Sequence, residues 1–185
     1  MKIGSKVPTQ NFVSPLTFAI HLDTMITKQN FSHVLFITFS AISFYSFGTA
    51  MMDYFLLYPS RFLVGESEFV RYHQLLEAAI LPVSVFPFLL ITILNLMLIW
   101  FRPENVSTRL IWISLCCLVL DVISTALFQA PWNFELAKGK DIVLMHKITD
   151  TNWARVFLES LQVIVTFIML NTFYLRKSSA ATSRA

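Results

Sequence analysis

Five ionisable residues, Asp53, His73, Glu77, Asp121 and Glu159, fall inside or at the edges of stretches that are otherwise apolar. A charged side chain at membrane depth is costly, so such residues mark a site in a bundle interior by default. Each buried acid needs a partner or a proton. Carboxyls beside a histidine suit proton transfer. Arg155 adds a guanidinium suited to holding a phenolate, enolate or carboxylate.

The spacing of these groups carries part of the reading. His73 and Glu77 are four apart and share one helix face, as do Arg155 and Glu159. Gln162 follows Glu159 within a turn. Thr125 and Gln129 continue from Asp121 at four-residue steps. If four helices alternate in direction, all these residues and Asp53 come to one half of the bilayer. Asn95, Ser114 and Asn171 are left in the other half. Tyr58, Trp132, Asn133 and Trp153 lie at the mouth of that polar half, with Trp132 and Trp153 at the depth of interface anchors.

A plainer account uses the same residues. Arg155–Glu159 can staple its helix, His73 can sit in the headgroup layer, and Asp53 and Asp121 can exchange hydrogen bonds that hold the bundle. Metal binding is not expected. A di-iron bundle needs Glu-x-x-His on two helices, and only a single His-x-x-x-Glu pair is present. With 4 glycines, no dinucleotide or phosphate loop can be traced. No cofactor is therefore assigned. Cys116 and Cys117 are adjacent within the third apolar stretch and match neither a metal nor a redox spacing.

The elements that must position these groups are four membrane helices. Hydrophobic residues make up 56% of the 185-residue chain and charged residues 14%, with a mean hydropathy of +0.64. The windows are 34–58, 75–101, 110–130 and 156–175, each long enough to cross about 30 Å of hydrocarbon. They run too long without turns for barrel strands, and helices satisfy their own backbone in lipid. The fold class is thus an all-α, polytopic integral membrane four-helix bundle. Its expected parts are an N-terminal arm over 1–33 with an interfacial helix, a bundle over 34–177 and a disordered tail over 178–185. The polar first ten residues do not read as a cleaved signal.

Basic flanks favour one side, eight residues against six, with Arg61 and Arg71 counted in the first loop on the poorer side. Both termini are therefore placed in the cytoplasm. The net charge of +3 comes from these flanks and is no nucleic-acid footprint, since no basic stripe runs along a soluble element.

Pro82 and Pro87 fall inside the second helix, where broken backbone is tolerated if it lines a cavity. A kink there opens space under the polar cluster. The third loop is expected to leave the membrane at Pro131, to turn over 137–141, and to carry a short helix over 142–148 as a lid. Asp150 or Thr151 would then cap the last helix.

Gly48-Thr49-Ala50, Tyr58-Pro59-Ser60, Pro131-Trp132-Asn133 and Asn152-Trp153-x-Arg155 resemble motifs of a four-helix membrane family of unknown function that includes the fungal anthrone oxygenases. The resemblance spans about residues 35–175. It implies a small hydrophobic aromatic or quinone-like substrate, oxidised by dioxygen without a conventional cofactor, and a histidine base, here His73. Catalytic candidates are then His73, Glu77, Arg155, Glu159 and Asp121. Substrate-binding candidates are Asp53, Tyr58, Asn133, Trp132, Trp153 and Gln129. The expected partner is a hydrophobic small molecule or lipid in the membrane, with no nucleic acid. The other class is a non-catalytic ligand-binding subunit, or a small transporter, which with four helices and no repeat would need a homo-oligomer.

Overall fold

The computed structural model describes the backbone of residues 15–182 and the side chains of residues 27–175. Four spans, Thr27–Leu63, Glu66–Phe101, Thr108–Leu136 and Ile142–Leu175, are long and apolar enough to cross a membrane. Their helical pieces are α1 (Pro15–Met52), α2 (Tyr58–Leu63), α3 (Glu66–Ile80), α4 (Phe86–Phe101), α5 (Thr108–Ser124), α6 (Ala130–Leu136) and α7 (Ile142–Thr182). The short connections at 64–65, 102–107 and 137–141 make neighbouring spans antiparallel. Each span packs on two others in a square: α1 on α4 and α7, α5 on α4 and α7. The two ends of the bundle are named here by their turns, the Gly65 end and the Pro103 end.

At the Pro103 end the helices are regular and the core is apolar. Phe36, Phe39, Leu98, Ile111 and Met169 are buried together there. Ser40 and Ser43 return their hydroxyls to the carbonyls of Phe36 and Phe39, so both are satisfied within their own helix. The Gly65 end has a second, smaller core of Tyr58, Phe69, Leu136, Met145 and Ile148.

Between these cores, three spans widen into π-helical turns: Asp53–Leu57, Leu81–Val85 and Thr125–Gln129. Each closes with an N–H five residues on, Tyr58 to Asp53, Phe86 to Leu81 and Ala130 to Thr125. The next residue is proline every time: Pro59, Pro87 and Pro131. A proline lacks the N–H and its ring crowds the carbonyl four residues back. Those carbonyls, on Phe55, Val83 and Leu127, all lie in the widened turns. The extra residue makes room for the ring, so the helix continues without breaking.

Several expectations change. Pro131 does not end the third helix, because the π-helical turn before it absorbs the ring and α6 carries Trp132 and Asn133 onward. The segment 142–148 is no separate lid but the start of α7. Met145 and Ile148 bury against Tyr58 and Phe69. The cap of that helix is Asp141, whose Oδ1 accepts the Leu144 N–H at 3.0 Å, while Asp150 and Thr151 lie within it. Helix α1 runs unbroken from Pro15 into the first span, and α7 continues to Thr182, because helical hydrogen bonding does not stop at the hydrocarbon boundary. Residues 1–14 and 183–185 lie outside the described residues.

Candidate functional site

The last span brings Arg155 to the bundle axis, where three carboxyls from three spans surround it. Its Nε donates to Glu159 Oε1 at 3.0 Å. Asp121 Oδ2 lies 3.9 Å from Nε, and Asp53 Oδ2 lies 3.7 Å from Nη1. All three acids are buried, Asp53 at 4%, Asp121 at 1% and Glu159 at 3% exposure. One guanidinium faces three carboxyls, and only one of them receives a short bond. Both oxygens of Asp121 and Oε2 of Glu159 are buried without a hydrogen-bond partner.

A second network adjoins this cluster toward the Gly65 turn. His73 is fully buried, stacked on Phe69 with ring centroids 5.8 Å apart. Its Nε2 lies 3.1 Å from the Asn133 carbonyl and 3.2 Å from Glu77 Oε1. Asn133 Oδ1 accepts from Arg61 Nη1 at 3.0 Å, and Asn133 Nδ2 donates to the Gln129 carbonyl at 2.9 Å. Gln129 Nε2 in turn donates to Asn152 Oδ1 at 2.9 Å. Asn133 thus ties the first, second and third spans together, and Gln129 reaches the fourth.

Arg61 is the residue that hydropathy misplaces. Counted as a loop charge, it lies in α2, 3% exposed, with its guanidinium carbon 4.8 Å from the centre of the Tyr58 ring. The signal available was the three-residue step from Tyr58 to Arg61, which puts both on one helix face. Lys140 also reaches back across the turn and donates to the carbonyl of Phe62 at 3.1 Å, fixing the end of α2.

A third polar group, about a turn deeper along α7, engages all four spans. Gln162 Nε2 lies 3.2 Å from Ser43 Oγ, 3.3 Å from Ser114 Oγ and 3.1 Å from Thr166 Oγ1. Asn95 Nδ2 donates to Ser114 Oγ at 2.6 Å. Below it lies the apolar core, so the polar column stops partway through the bundle.

The first two spans part beside Asp53 and leave a cavity of about 180 Å³. Thr49, Met52, Asp53, Leu57, Leu76, Ala79, Ile80, Val83 and Ser84 line it. It lies where the Pro82–Pro87 segment widens the second span, the place at which the proline spacing pointed to open space. Met52 and Val83 are 57% and 48% exposed, so the rim faces the lipid side of the bundle.

The structure therefore gathers Asp53, Asp121, Arg155 and Glu159 in one cluster and His73, Glu77, Asn133 and Gln129 in the next. Tyr58 is buried beside Arg61. Trp132 packs on Phe128 at 5.8 Å over the smaller core. Trp153 is 59% exposed and meets Tyr54 at 6.3 Å on the outer surface. Neither tryptophan lines the cavity. Among the described residues, no group of three or more His, Cys, Asp or Glu side chains is arranged to hold a metal ion.

No family model, no curated protein and no solved structure matches this chain. Its class rests on the molecule itself: an all-α, polytopic integral membrane protein with a four-helix bundle and a charged cluster buried in one half.

Proposed function

We propose that this chain is a membrane-embedded, oxidoreductase-like enzyme that takes a small hydrophobic aromatic or quinone-like molecule sideways from the bilayer. The observation that carries this reading is the cavity beside Asp53, apolar-walled, open at the lipid-facing rim and abutting the Arg155 cluster. Its volume of about 180 Å³ suits a one- or two-ring molecule, since an apolar protein cavity of roughly 150 Å³ holds benzene. Asp53 is the ionisable residue in the lining. It is the group to accept a proton from an acidic O–H or C–H, with Arg155 behind it to hold the charge that develops. Dioxygen reacting with the resulting anion is the chemistry suggested by the resemblance to the anthrone-oxygenase family. His73 acts through Asn133 and Glu77 in this reading and does not touch the ligand.

Binding without turnover, as in a lipid- or ligand-binding subunit or small transporter, is a second reading. It is favoured by His73 itself, whose Nε2 is already engaged by the Asn133 carbonyl and Glu77. The test is to purify the protein in mild detergent and identify bound small molecules by mass spectrometry, then repeat with Ala79→Phe and Asp53→Asn. A ring-bearing molecule present in the parent, absent from Ala79→Phe and consumed under oxygen only when Asp53 is intact supports the enzyme. The same ligand bound but never consumed supports the second reading. Phospholipid alone in all three proteins removes the enzyme and leaves a lipid-binding or structural subunit.

A further inference from the structure

Asp121 and Glu159 meet where the third span packs on the fourth, and their carboxyls are in hydrogen-bond contact with each other. An ionised carboxylate only accepts hydrogen bonds. A bond between the two therefore requires a proton on one of them. The guanidinium beside them does not remove that requirement. Arg155 Nε donates to Glu159 Oε1 at 3.0 Å. Asp121 Oδ2 stands 3.9 Å from the same nitrogen, beyond hydrogen-bond length. Both Asp121 oxygens and Glu159 Oε2 otherwise lack a donor, on side chains that are almost wholly buried.

The charges around the pair lead to the same requirement. From the first span, Asp53 lies 3.7 Å from Arg155 Nη1, and the Tyr58 hydroxyl also meets that guanidinium. On the second span, Glu77 pairs with His73. On the third, the next titratable group is the Cys117 thiol, one turn back. Arg61 donates to Asn133 and stands among Tyr58, Tyr72, Asp53 and Glu77. Arg155 is thus the cation in contact with the pair, and Asp53 claims part of it. Three carboxylates on one guanidinium leave two negative charges unbalanced, and a proton on the pair removes one of them. Two carboxyls that share a buried site do not both ionise.

We infer that Asp121 and Glu159 bind one proton between them and form a proton-binding site closed inside the bundle. The proton belongs to the pair and not to either residue. It lies in an O–H···O⁻ bond, which is short and strong because the acceptor is charged. That bond ties the third span to the fourth, and loss of the proton sets two carboxylates against each other at the same contact. Neither residue lines the cavity between the first two spans. The proton site therefore stands whether or not that cavity takes a ligand.

Infrared spectroscopy of the purified full chain in detergent reads the proton directly. At neutral pH exposed carboxyls are ionised, and a protonated carboxyl shows a C=O stretch apart from the carboxylate bands. The parent protein is expected to show that band at the strength of one carboxyl per chain, shifted in heavy water. Asp121→Asn and Glu159→Gln should each lose it, because the amide then donates the bond that the proton made. Both substitutions keep the shape of the side chain, and the double variant decides if a single one does not fold. Asp53→Asn should keep the band. No band in the parent protein overturns the inference, as does a band that survives in a variant of the pair. So does its loss in Asp53→Asn, which would put the proton on Asp53. None of these results bears on ligand binding in the cavity, which the mass-spectrometric test decides separately.

Discussion

The two ends of this bundle solve the problem of packing four helices in opposite ways. At the Pro103 end the helices are regular, and Phe36, Phe39, Leu98, Ile111 and Met169 fill the space between them. At the Gly65 end three of the four spans carry an extra residue in a π-helical turn. Asp53, Asp121, Arg155 and Glu159 lie between that core and the smaller one of Tyr58, Phe69, Leu136, Met145 and Ile148, and the first two spans stand apart around a cavity. Close packing tolerates little change of volume. An irregular backbone and buried ions cost stability, and they persist where the rest of the fold holds them in place. The contrast teaches that the Pro103 end anchors the bundle, which lets the Gly65 end carry groups that packing alone would not select.

The sharpest way to break that contrast is to remove the one cation at its centre. Arg155→Met leaves three carboxyls facing one another, and breaking a buried ion pair in this way costs about 3–5 kcal/mol. Thermal unfolding in detergent should show the largest loss for this variant. A triple variant that also replaces Asp121 and Glu159 with Asn and Gln should recover much of the loss. Phe36→Ala comes next, at about 3 kcal/mol from the void left in the regular core. It should leave ligand affinity at the other end unchanged, and a coupled loss of binding would show that the two ends are not separable.

Gln162→Leu tests the boundary between the halves. Hydrogen bonds across membrane helices average under about 1 kcal/mol, so the midpoint of unfolding should shift slightly although all four spans meet there. The smallest effect on stability is expected from Pro87→Ala, within about 1 kcal/mol. Restoring an N–H at residue 87 lets it bond the Val83 carbonyl and draws the second span back toward an ordinary α-helix. The measurement that matters is affinity for the cavity ligand, which should drop several-fold as the widened turn closes. Unchanged affinity would mean that this turn does not shape the cavity.

Some of the site was legible because helical spacing is local. The His73–Glu77 and Arg155–Glu159 pairs follow from a four-residue step on one face, and both form. The shared depth of Asp53, Asp121 and Glu159 follows from alternating directions. Arg61 was not legible as a buried group, because hydropathy ends the first span at Tyr58 and treats the next cation as a loop charge. The helix continues because Lys140 and Asn133, distant in sequence, satisfy its end and its guanidinium. Pro131 misled for a related reason. A proline normally marks a helix end, and here the widened turn before it takes up the strain.

By itself the sequence determined that four apolar helices cross the membrane and that their polar residues share one half, since burial of backbone and charge in lipid leaves few alternatives. Only the tertiary structure decided which of those residues meet. That depends on the rotation of each helix about its axis, and the three π-helical turns reset this rotation by a residue at the level where the site lies. Asp53 and Asp121 come round to Arg155, which Glu159 already meets one turn along its own regular helix, and His73 lies against Asn133.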